Sequence, residues 1–162
     1  MMRAMRLLLM RHAKAAAGEG LPDHDRPLTA QGELDAARMG RWLRENSAEP
    51  DAVWCSSALR ARQTWANVAA ELTEPPEPSY HRSVYLAGPA QLLDVVREIP
   101  PAVGSALIIG HNPTMQQLLR ELTGDDRSFP TGAVALVDVA GPWSSPGTAR
   151  LRSLVGPNQE GT

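Results

Sequence analysis

The chain has 162 residues, 43% of them hydrophobic and 21% charged, and a formal net charge of -2. This size and composition fit one globular domain with a real core and exclude an intrinsically disordered chain. The near-neutral balance also excludes a global basic field for nucleic acid or anionic lipid, so an anionic partner must meet a local cluster of cations.

A single cysteine rules out an internal disulfide and favours a reducing compartment. The apolar core of the first ten residues, Leu7 to Met10, is too short for a signal peptide and runs straight into Arg11-His12. No stretch approaches the roughly 20 apolar residues of a membrane span. The expectation is a cytoplasmic protein without membrane or nucleic-acid partners.

Along the chain, Arg6 to Met10 is a continuous apolar run, as expected of a strand buried on both faces. A helix is predicted from Thr29 or Ala30 to about Asn46, with Leu34, Ala37, Gly40 and Leu43 as its inward stripe. Asp51 to Cys55 reads as a second strand, followed by a helix with Ala61, Trp65, Val68 and Leu72 at helical spacing. The proline-rich run Glu74 to Pro78 is a surface connection, and a short strand follows around Ser79 to His81. Pro89 opens a helix carrying Leu92, Leu93, Val96 and Ile99. Ser105 to Gly110 is the clearest buried strand, and Asn112 and Pro113 suit the N-cap and first position of the next helix. Ala133 to Val139 and Ala149 to Leu154 read as two further strands. The alternation predicts one α/β domain over residues 1–155, a mainly parallel sheet between helices, with a frayed tail at 156–162.

Ligands of open α/β sheets sit outside the carboxyl ends of the strands. Three predicted strands end in residues of one chemical type: Arg11-His12, then Ser56-Ser57 leading to Arg60, then His111-Asn112-Pro113. A parallel sheet brings these ends to one edge, where two histidines and two arginines meet two helix N-termini. Arginine forks pair bidentately with phosphate oxygens, and a neutral imidazole is a competent nucleophile near pH 7. Singly, each residue has a bland reading as a loop histidine, a solvated arginine or a helix cap. Their convergence favours a phosphoryl-transfer site.

Two other chemistries fit less well. Cys55 lies five positions before Arg60 and seven before Arg62, which misses the cysteine-phosphatase register both ways and leaves a buried structural thiol. A metal site from His12, His24, His111 and Asp23 or Asp25 lacks helical ligand spacing, and neighbouring arginines oppose it.

Leu9-Met10-Arg11-His12, Arg26-Pro27-Leu28-Thr29, Ser56-Ser57-Ala58-Leu59-Arg60-Ala61-Arg62-Gln63-Thr64 and Ile109-Gly110-His111-Asn112-Pro113 together resemble the histidine phosphatase superfamily. That group includes the cofactor-dependent phosphoglycerate mutases, and the short chain is most similar to its small bacterial SixA-type phosphohistidine phosphatases. The resemblance implies a three-layer α/β sandwich like that of phosphoglycerate mutase, acting without cofactor or metal. It makes His12 the nucleophile and gives Arg11, Arg60 and His111, the latter protonated, to the phosphoryl oxygens. Arg60 rather than Arg62 matches, because it directly precedes the Ala-x-Gln-Thr block. Arg26 is a further candidate ligand, or else an ion-pair partner of Asp25.

Two departures stand out. Ala13 replaces the glycine usual after the nucleophile, which points to an ordinary backbone conformation there. No carboxylate lies between Ser79 and Gln91, where esterases and mutases of the group carry a general acid; Tyr85 and His81 are the candidate proton donors in that segment. A sugar alkoxide leaves poorly without an acid, whereas the imidazole of a phosphohistidine leaves readily. The expected function is therefore hydrolysis through a phosphohistidine intermediate on His12, acting on a phosphohistidine-bearing protein. A small-molecule phosphomonoesterase acting on a phosphorylated metabolite, and a non-catalytic module that binds phosphorylated partners, are the alternatives. No motif encodes an oligomeric state.

Overall fold

Leu7 to Met10 have no exposed surface, because the strand that carries them lies inside a sheet covered on both faces. The computed structural model describes residues 4–158. In it β1 (Met5–Arg11) pairs in parallel with β4 (Ser105–Gly110) and antiparallel with β5 (Val134–Val139). On one side, β2 (Ala52–Ser56) lies between β4 and β3 (Pro78–His81), parallel to both. On the other, β6 (Ala149–Val155) runs antiparallel to β5. The order is β3-β2-β4-β1-β5-β6. The expectation of a mainly parallel sheet holds for β1 to β4, and the last two strands make the sheet mixed.

Side chains alternate across a strand, so β1 and β4 feed two cores. Leu7, Leu9 and Ile108 pack with α4 (Pro89–Arg97) and α5 (Thr114–Thr123). Leu8, Met10, Leu107 and Ile109 pack with α1 (Ala30–Glu45) and α2 (Leu59–Ala69). The result is the expected helix–sheet–helix sandwich. At roughly 1.5–3 kcal/mol per buried aliphatic side chain, these two layers dominate what holds the fold together.

Helix α1 starts where expected, since the Thr29 hydroxyl accepts from the Gly32 amide at 2.9 Å. Its inward stripe is corrected. Leu34 is 64% exposed, and the buried face is Gly32, Ala36, Met39, Gly40 and Leu43. Backbone contact fixes this rotation: the Lys14 carbonyl presses on Gly32, and a Cβ on Gly40 would meet the Val68 carbonyl at 2.6 Å. Close approach of α1 to α2 outweighs the burial of one leucine.

Helix α5 begins at Thr114, two residues beyond the predicted cap, although the Asn112 side chain still accepts from the Gln116 amide at 3.2 Å. Two short elements had no periodic signal: α3 (Arg82–Leu86) and a single 3-10 turn at Asp23–Asp25. Of the tail expected to fray, Gly156 and Pro157 are buried, and Arg38 donates to the Pro157 carbonyl at 3.0 Å. Residues 159–162 lie outside the described residues. No described helix is long and apolar enough to cross a membrane.

Candidate active site

Because β2, β4 and β1 are neighbours and parallel, their carboxyl ends finish level. Arg11 stands opposite Gly110, and Cys55 opposite Ile109. The next residues on each strand therefore emerge together. The His12 amide donates to the Gly110 carbonyl at 3.0 Å, and the His12 and His111 ring centroids are 5.1 Å apart. Arg60, in the first turn of α2, points a terminal nitrogen at His111 Nδ1, 3.4 Å away. Arg11 leaves the end of β1 and donates to the Phe129 carbonyl at 3.0 Å. His12, Arg11, Arg60 and His111 are thus gathered at one sheet edge, as the three strand ends predict.

The bonding of His12 fixes its chemistry. Its Nδ1 lies 2.7 Å from the Ala13 carbonyl. A carbonyl only accepts, so Nδ1 carries the proton and Nε2 keeps its lone pair. Burial, followed by the charges of Arg60, Arg11 and Arg26, pushes the His12 pKa down to about 4, against the opposing effect of the Ala13 bond. At neutral pH the ring is uncharged, with its Nε2 lone pair free, in a cationic pocket. The loop is braced by Thr64, whose hydroxyl accepts from the Ala13 amide at 3.0 Å and donates to the Arg60 carbonyl at 2.7 Å. Ala13 keeps ordinary backbone angles, since Ser47 is the one non-glycine residue with positive φ among the described residues.

His111 departs from its expected protonated state. Burial, then His12 and Arg60, bring its pKa down to about 3. With an Arg60 N–H facing Nδ1, the ring proton sits on Nε2 and is donated to the Ser56 hydroxyl at 2.7 Å. A dianionic phosphoryl group between the two rings would raise both values again. In this arrangement both histidines are held neutral. Their folded pKa values lie below the unfolded value of about 6.5, so between those limits the unfolded chain binds more protons. Stability is therefore complete above pH 6.5 and is lost as the pH falls toward 4. Denaturant unfolding at pH 5 should give a stability lower than at pH 7 by roughly 2–4 kcal/mol. Equal values would contradict neutral burial of this pair.

Asp23, considered from the sequence only as part of a metal site, completes the pocket from the 3-10 turn. Arg60 donates one terminal nitrogen to the Asp23 main-chain carbonyl at 2.7 Å and the other to its carboxylate at 3.0 Å. The Tyr85 hydroxyl donates to the same carboxylate oxygen at 2.7 Å. Arg26 Nε lies 3.3 Å from the other oxygen, so its ionic partner is Asp23 across one turn, not Asp25. The Tyr85 bond, and then Arg60, hold Asp23 below the usual carboxylate range, and the same bond holds the Tyr85 proton on. The sequence offers no local sign of this contact, because Asp23 and Arg60 are 37 positions apart.

The remaining residues sort themselves. His24 bonds the Ser57 hydroxyl at 2.8 Å and meets Tyr85 edge to face at 4.8 Å; Tyr85 in turn meets His111 at 5.5 Å. His81 shares a 2.9 Å bond with Ser79 along β3. Arg62 is exposed and lies over the Tyr80 ring. Cys55 is fully buried, and burial pushes its thiol pKa up, which keeps it protonated and inert. No three His, Cys, Asp or Glu side chains gather into a metal site among the described residues. Arg11 Nε and Arg60 Nε are buried without hydrogen-bond partners. Orphan donors beside a neutral imidazole are what an incoming oxyanion would satisfy.

Known proteins share this fold and much of this sequence. The profile of the histidine phosphatase superfamily (branch 1) matches residues 7–80. The phosphohistidine phosphatase SixA of Escherichia coli is 31% identical, covering 82% of this chain and 84% of its own. The Mycobacterium tuberculosis protein Rv1276c, which is uncharacterized, is 37% identical over 88% of this chain and 96% of its own. A solved structure of the protein histidine phosphatase SixA complexed with tungstate superposes with a TM-score of 0.80 at 29% identity, covering 94% of this chain and 97% of the other.

Proposed function

We propose, from the premise that the chain belongs to the histidine phosphatase superfamily and is one of its phosphatases, that it hydrolyses protein phosphohistidine through a covalent intermediate on His12. His12 Nε2 attacks the phosphorus in line, the substrate's P–N bond breaks, and its electrons return to the leaving imidazole. Water then attacks phospho-His12, releasing phosphate and restoring the ring. Arg11 and Arg60 hold the transferring oxygens, and His111 joins them through Nδ1 once the bound dianion raises its pKa and protonates it. Arg26, ion-paired with Asp23, adds positive charge to the pocket.

The observation that carries the substrate class is the state of Asp23. The carboxylate that reaches Arg60 is ionised and has no proton to give, and the Tyr85 hydroxyl proton is committed to it at 2.7 Å, so neither is poised as an acid for an alkoxide. An imidazole leaving group needs no such acid. SixA, the 31% identical relative, is itself a phosphohistidine phosphatase. Turnover of a phosphohistidine peptide is expected to exceed that of sugar phosphates by at least about 100-fold in kcat/KM, the range general acids contribute. A preference for sugar phosphates would replace this reading with a metabolite phosphomonoesterase.

A further inference from the structure

We propose that Asp23 is a specificity-determining residue, whose carboxylate at the pocket rim accepts the ring N–H of a phosphoimidazolium substrate and so selects N–P over O–P bonds. The inference rests on the phosphatase reading above and adds a residue outside the four that surround the phosphoryl group.

Depth fixes the direction of transfer. His12 and Arg60 form the floor, 7% and 5% exposed, whereas the Asp23 side chain is 56% exposed. In-line attack from the floor sends the leaving group the opposite way, toward the rim. The groups met there are Asp23, Tyr85 and His24, linked by the 2.7 Å Tyr85–Asp23 bond and the edge-to-face Tyr85–His24 contact. A carboxylate beside aromatic rings suits a flat cation.

Acceptor capacity remains on Asp23. A carboxylate has about four lone-pair sites. One oxygen accepts from Tyr85 and Arg60, while the other faces Arg26 Nε at 3.3 Å. The division of charge is complementary: Arg11 and Arg60 match the phosphoryl group, and Asp23 matches the imidazolium. Its ionised state, enforced by Tyr85 and Arg60, fits that part.

The step balances. The phosphoimidazolium carries its proton on the nitrogen remote from phosphorus. As the His12 Nε2–P bond forms, the P–N bond breaks and its pair stays on the leaving nitrogen. The ring departs as neutral imidazole, keeping that proton on the carboxylate's side. The carboxylate favours this cationic form over the neutral phosphoimidazole, which would have to leave as an anion, a far harder step.

Asp23→Asn is nearly isosteric and keeps the main-chain carbonyl that anchors Arg60. Kinetics of wild type and D23N on a phosphohistidine peptide and on p-nitrophenyl phosphate, whose leaving group has no ring N–H, separate the roles. The ratio of kcat/KM on the peptide to that on the aryl ester should fall at least about tenfold, the loss of one charge-assisted hydrogen bond. If Asp23 only positions Arg60, both substrates slow together, and a ratio unchanged within twofold overturns the proposal. If wild type turns over neither substrate, the phosphatase reading falls and this inference falls with it.

Discussion

The His12→Ala variant is expected to lose turnover on every phosphorylated substrate, by at least about 10^4-fold in kcat, a loss comparable to removing the nucleophile from other covalent catalysts. The expectation follows from one bond. With Nδ1–H committed to the Ala13 carbonyl, Nε2 is the free lone pair. His111 does not substitute, because its Nε2–H is donated to Ser56 and its Nδ1 faces Arg60. Radiolabelled phosphohistidine substrate, quenched in alkali after a few milliseconds, should leave label on wild-type protein and none on the variant. A labelled His12→Ala protein, or one retaining full activity, would place the nucleophile elsewhere.

Arg60→Ala should follow in severity, lowering kcat/KM by roughly 10^2–10^3-fold, the loss seen on removing a preorganised donor from a developing oxyanion. The Arg60 side chain is 7% exposed and reaches His111 and Asp23 together. Arg60→Lys should recover little of this, since an ammonium cannot span both partners in one plane. Arg62→Ala, two positions on, supplies the contrast: it is exposed over Tyr80 and should stay within about twofold of wild type. Equal losses at both positions would mean that charge in the region, rather than the Arg60 fork, carries the effect.

The strands and the convergence of their ends were legible in the residues themselves, whereas the choice of Arg60 over Arg62 came from the family resemblance. Strands β1 and β4 are short, unbroken apolar runs with a histidine at or just past each end, and a parallel sheet leaves such residues few places to go. The errors are of another kind. Leu34 read as core because it is apolar and periodic, yet helix rotation was decided by two glycines meeting the Lys14 and Val68 carbonyls, contacts with no local signature. Asp23 was weighed only as a metal ligand because its partners, Arg60 and Tyr85, lie 37 and 62 positions away. Arg26 was offered Asp25, its neighbour, but the 3-10 turn brings Asp23 to it instead. Composition and period report what an element buries. They are silent on which charged groups a connecting loop carries across to another element.

The two outermost strands have a consequence for how the protein behaves in bulk. Free strand edges are templates for pairing with other chains, and concentrated protein aggregates through them. Here β3 is only four residues long and opens on Pro78, which has no amide hydrogen to donate. At the far side, β6 carries the exposed Arg150, and Arg152 beside it is paired with Asp138 of β5 at 2.9 Å, so charged side chains interrupt that edge strand. Both margins of the sheet are thereby blunted against edge-to-edge stacking.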